Sequence, residues 1–84
     1  MTTTALESSV LDVIAMCIEL LPDSELREMS DLVKAGEPGI ALENLSTQLY
    51  EHAASVRPEV VRAIEGLGRS MGLDPKYWRR FEQA

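Results

Sequence analysis

Aromatic side chains are scarce in this chain: one tryptophan, two tyrosines and one phenylalanine among 84 residues. β-Branched residues are not clustered either, and the two shortages together disfavour an all-β fold. A single cysteine, Cys17, allows no internal disulfide and no cysteine metal cluster. A single histidine, His52, falls near a predicted helix end with no second histidine or cysteine to pair with it, so no Ser-His-Asp set is credible. One His, one Cys and scattered carboxylates also lack the spacing of a metal site. No run approaches the ~20 apolar residues that span a bilayer. The most apolar stretch, Val10 to Leu21, is interrupted by Asp12 and Glu19. The opening Met1-Thr2-Thr3-Thr4 lacks the basic region and apolar core of a secretory signal. The expectation is a soluble, cytoplasmic binding protein with no catalytic residues, no metal and no cofactor.

Basic residues are also few: eight against fourteen acids, for a net charge of −6. They are unevenly placed. Met1 to Glu51 carries ten acids and two bases, whereas His52 to Ala84 carries four acids and six bases. Nucleic-acid binding by the N-terminal half would meet phosphate repulsion, because such affinity depends on neutralising phosphates. An acidic half suits a basic protein partner drawn in by long-range attraction. Its plainer use is to keep a small protein soluble.

What is present is helical periodicity. The pattern predicts an all-α fold, a four- to five-helix bundle forming one domain over 1–84. A chain this short buries only ~60–65% of its unfolded surface, so each large core side chain matters. The first helix is predicted from Thr4 to Leu21. Leu6, Val10, Val13, Ile14, Cys17, Ile18 and Leu21 form its apolar stripe, which Leu11, Met16 and Leu20 widen. Such breadth marks the central helix of a bundle. Pro22 ends it. The second helix is predicted from Ser24 to Ala35, with Asp23 as N-cap. Leu26, Met29, Leu32 and Val33 point inward, and Glu25, Glu28 and Asp31 recur every three residues as an exposed carboxylate stripe. Like charges at this spacing cost a few tenths of a kcal/mol each, which gives the stripe a functional reading beside that of a merely solvated face.

The sharpest break is Gly36-Glu37-Pro38-Gly39. Gly36 suits the position past a helix end, and Pro38 the first turn of the next helix. A third helix from Pro38 to His52 puts Ala41, Leu42, Leu45, Gln48 and Leu49 at packing positions. Glu43, Thr47 and Tyr50 share a different face. His52 suits the last carbonyls of this helix. A fourth helix from Pro58 to Met71 carries Val60, Val61, Ile64, Leu67 and Met71, with a Glu65–Arg69 pair outside. Gly66 and Gly68 inside it imply close approach of another helix. They do not make a phosphate loop, for which a lone G-x-G is a weak signal. Asp74-Pro75 opens a short last element, whose Trp78 and Phe81 are expected to close over the first helix. Arg79 and Arg80 form a small basic patch that reads as solvated surface before it reads as a nucleic-acid contact.

Two blocks carry a family resemblance. They are Gly36-Glu37-Pro38-Gly39 followed by Ile40-Ala41-Leu42-Glu43-Asn44-Leu45, and Met71-Gly72-Leu73-Asp74-Pro75-Lys76-Tyr77-Trp78. With their spacing they resemble the small bacterial immunity proteins of the Maf type, which are similar to those of contact-dependent inhibition systems. The resemblance spans roughly Ile18 to Trp78. It fits less well from His52 to Arg57, where relatives tend to be more acidic or aromatic. It implies a protein that binds and neutralises a cognate toxin C-terminal domain, often a nuclease; charge and composition separately predict no direct contact with nucleic acid or membrane. On that reading the toxin-binding residues are Glu25, Glu28, Asp31, Glu37, Glu43, Thr47 and Tyr50. An acidic helical adaptor or regulator is the alternative. An acyl-carrier-like protein is a further one, with Asp23-Ser24-Glu25-Leu26 in place of an Asp-Ser-Leu motif, a glutamate standing where leucine belongs.

Overall fold

The computed structural model describes residues 3–82. They form an all-α bundle of five helices: α1 (Ala5–Ala15), α2 (Asp23–Lys34), α3 (Pro38–Glu51), α4 (Pro58–Ser70) and α5 (Lys76–Arg79). No strand occurs among the described residues, and none of their helices is long and apolar enough to cross a membrane. Thr4 starts α1 with a reciprocal cap. Its hydroxyl accepts from the Glu7 N–H at 3.1 Å, and the Glu7 carboxylate accepts from the Thr4 N–H at 2.9 Å.

The α-helical part of α1 is shorter than expected. Beyond Ala15 the chain tightens into turns in which Cys17 N–H bonds to Ile14 O and Leu20 N–H to Cys17 O. These three-residue bonds rotate the side chains off the helical period. Cys17 and Leu21 stay in the core, while Ile18 is 64% exposed. Pro22 accounts only for the end of this segment, since the residue before a proline, here Leu21, avoids helical backbone. Pro22 itself occupies the N-cap position of α2, and Asp23 is the first helical residue with no side-chain cap bond. Its carboxylate contributes only through the positive helix end.

The central helix is α3, not α1. Each of the other four helices packs against α3, whereas α1 meets only α2, α3 and α4. Ala41, Leu42, Leu45, Ser46 and Leu49 are all buried on it. The breadth of the α1 stripe comes instead from residues after its helical turns end. Ser46 is the one buried polar side chain among the described residues, and its hydroxyl donates to the Tyr77 carbonyl. That bond fastens α5 to α3.

The last element also closes elsewhere than expected. α5 packs on α3 and α4 and not on α1. Trp78 is 1% exposed and lies on Gly68, where an added Cβ would come within 2.9 Å of indole Cε3. The close approach read from Gly68 is therefore that of the Trp78 ring. Gly66 has open space around it.

Three helices end in the same two-bond motif, with the residue after the cap in left-handed backbone. After α2 and α4 that residue is glycine: Gly36 at φ 84° and Gly72 at φ 69°. After α3 it is Ala53, at φ 51°. Ala54 N–H bonds to Leu49 O and Ala53 N–H to Tyr50 O, so this end is held in spite of its Cβ. Left-handed backbone costs an ordinary residue roughly 1–2 kcal/mol. Ala53→Gly is expected to raise stability by roughly 0.5–1 kcal/mol, read as a higher urea midpoint with an unchanged slope.

Candidate protein-binding surfaces

α2 and α3 form an antiparallel hairpin whose three-residue turn runs from Ala35 to Glu37. Its open end is tied by a contact that the sequence did not reveal. His52 Nε2 lies 3.1 and 3.2 Å from the two carboxylate oxygens of Glu25. Glu25 is thus half-buried and engaged within the chain, so it belongs to the hairpin's own structure. His52 is placed by this carboxylate in addition to its position at the α3 C-cap.

The other acids of the predicted stripe differ. Glu28, Asp31 and Glu37 are exposed. Among the described residues no basic group lies within 4.0 Å of these three or of Glu43. On α2, Leu26, Met29 and Val33 face the core, which turns Asp31 outward and sets Glu28 on its flank. On α3 the outermost ridge is Ile40, Asn44 and Glu51, opposite the buried Leu42, Leu45 and Leu49, and Thr47 beside it is half-buried. Ile40 is 46% exposed and stands one turn from Glu37. The hairpin therefore exposes Glu28 and Asp31 on α2, Glu37 in its turn and the apolar Ile40 in the first turn of α3.

Tyr50 does not join this acidic group. It is 57% exposed on the α3 flank nearest α5. The Arg80 guanidinium lies over its ring at 4.9 Å from the centroid, and over the Tyr77 ring at 5.4 Å. Tyr50, Asp74, Pro75, Lys76, Arg79 and Arg80 line one open cleft. Glu43 leans towards the same flank by helical spacing and is half-buried. The seven residues predicted as a single site thus divide between a hairpin face with Glu28, Asp31 and Glu37, and a column with Glu43, Thr47 and Tyr50. Glu25 is occupied between the helices. Sequence reasoning missed Ile40, whose exposure follows from its place opposite Leu42 and Leu45. It also missed the pairing of Tyr50 with Arg80, for which two helices distant in sequence must meet.

Among the described residues no cluster of three or more His, Cys, Asp or Glu is placed to hold a metal ion. Burial pushes the Cys17 thiol up to about 11, against a smaller lowering by Arg57. The folded state therefore keeps its thiol proton at pH values where the unfolded chain loses it. The stabilising difference is whole below pH 9, the ordinary thiol value, and is lost as pH rises towards 11. Cys17→Ala should flatten the decline of thermal stability between pH 9 and 11, and native Cys17 should react with a thiol reagent only as fast as the protein opens.

Compared with protein-family models, curated proteins and solved structures, the chain matches none.

Proposed function

We propose that this chain is an immunity-type inhibitor, a helical protein that binds the basic C-terminal domain of a toxin and blocks it by occupying its working surface. The observation that carries this reading is the α2–α3 hairpin, where Glu28, Asp31 and Glu37 are exposed with no described basic group within 4.0 Å and Ile40 is exposed on the same hairpin. Like charges three residues apart on α2 cost a few tenths of a kcal/mol, which attraction to a basic partner would offset. A toxin that acts on nucleic acid carries cations for its phosphates, and these are the groups such a face attracts. The resemblance of the Gly36–Leu45 and Met71–Trp78 blocks to immunity proteins supports the same reading.

The test is retention of partners by the tagged protein from its own host, identified by mass spectrometry. Recovery of a small basic C-terminal domain of a larger secreted or surface protein supports an inhibitor. Recovery of other regulatory proteins alone moves the reading to an acidic adaptor. Ser24 is exposed in the first turn of α2, so a prosthetic mass increment on it in the intact protein would make the chain a carrier.

A further inference from the structure

The cleft between Tyr50 and α5 carries charge opposite to the hairpin face. Lys76, Arg79 and Arg80 project around it, and none of them has a carboxylate within 4.0 Å among the described residues. Asp74, the acid in its wall, already accepts the Lys76 backbone N–H at 2.9 Å. Arg80 is half-buried, and its guanidinium lies against two rings, Tyr50 at 4.9 Å and Tyr77 at 5.4 Å. Lys76 Nζ lies 5.1 Å from the Tyr77 centroid on the same element. Aromatic contacts hold a guanidinium by its faces and leave its edge donors available. Among the described residues the Arg80 side chain spends none of those donors on a hydrogen bond. A guanidinium so restrained is a fork ready for a planar anion, because less freedom is lost when the bonds form.

We propose that this cleft docks an acidic segment of a protein partner, with one carboxylate seated bidentate on Arg80 and its neighbours near Lys76 and Arg79. Tyr50 supplies the aromatic contact. Exposed tyrosine with arginine is the composition of protein-interface hot spots. The charge pattern favours carboxylates of a peptide over a polynucleotide. A nucleic acid needs a track of phosphate contacts, and this patch is three cations, two on α5 and Arg80 at its C-cap, in a chain with net charge −6. At ~0.15 M salt the Debye length is ~8 Å, so the local cations govern a short peptide while the distant acids are screened. This assignment does not depend on the hairpin-face reading, and it gives the protein two docking surfaces of opposite sign.

The experiment is a backbone-amide NMR titration at physiological salt with an acetylated hexaglutamate peptide as probe and single-stranded oligothymidylate as competitor. Saturable shifts confined to Tyr50 and residues 74–81 are expected. Arg80→Ala should weaken peptide binding at least about tenfold, the scale of a charged hydrogen-bonded contact. Arg80→Lys keeps the charge and the fold but lacks the fork, and it should weaken binding nearly as much. Circular dichroism of both variants checks the fold. Absence of shifts at millimolar peptide, or equal binding by the Arg80→Lys protein, overturns the assignment. Tighter binding of the oligonucleotide at these residues would replace the acidic segment with nucleic acid.

Discussion

Trp78→Ala is expected to lose about 3–5 kcal/mol, the usual cost of emptying a buried indole site. At ~0.05–0.15 kcal/mol per residue, a chain of this size has about 4–13 kcal/mol in all. The variant should therefore lose a large share of its stability, and at the low end of that range it would unfold at room temperature. The reason is topological as well as volumetric. Trp78 fills the space over Gly68 of α4, and the carbonyl of its neighbour Tyr77 accepts the Ser46 hydroxyl of α3. Removing the indole thus loosens the element that closes the cleft beside Tyr50. Gly68→Ala attacks the same contact from the other side. The added methyl would overlap the ring, and overpacking of this kind costs roughly 1–3 kcal/mol. The two changes should not add. With the indole gone the new methyl has room, so the Gly68→Ala/Trp78→Ala protein should be more stable than the sum of the single losses implies. Urea denaturation followed by circular dichroism measures all three. Additive losses would mean that Trp78 and Gly68 do not meet as described.

The Glu28→Lys/Asp31→Lys protein should fold normally and fail at association. Both side chains are exposed with no described ion-pair partner, so the change in stability should stay within about 0.5 kcal/mol. Steering by an oppositely charged face raises association rates by ~10–10³-fold. Reversing two of its charges should slow binding to a basic partner domain by at least about tenfold, and should weaken the dependence on salt. Stopped-flow or surface-based kinetics at two ionic strengths separate these effects. Glu25→Gln serves as the contrast. It alters the His52 contact inside the hairpin, so it should act on stability with little effect on association rate. An unchanged rate and an unchanged salt dependence in the double-reversed protein would remove this face from any interface.

The sequence made the helices legible wherever backbone chemistry is local. Gly36-Glu37-Pro38 marks the α2–α3 turn because a left-handed residue and a first-turn proline have few other uses. Pro58, Gly72 and Asp74 punctuate the rest in the same way. The end of α1 was less legible. Apolar residues continue through Leu21, and their pattern does not distinguish helical turns from the tighter turns that bury Cys17 and expose Ile18. The central role of α3 was hidden for a related reason. Its buried face includes the small residues Ala41 and Ser46, which count for little on a hydrophobicity scale but let neighbours approach closely. The acids Glu28 and Asp31 were placed correctly on the surface because α2 has a clean period. The contacts of Glu25 and Tyr50 were not legible, since their partners, His52 and Arg80, are fixed only by tertiary packing.

The measurement that tests the proposed inhibitor role most directly is titration of the purified chain into a basic C-terminal domain recovered with it from its host, while the activity of that domain is followed. The account predicts that activity falls linearly and ends at one equivalent. It also predicts that the Glu28→Lys/Asp31→Lys protein, folded as judged by circular dichroism, needs a large excess to do the same. Full activity of the domain in the presence of excess wild-type chain would contradict the account.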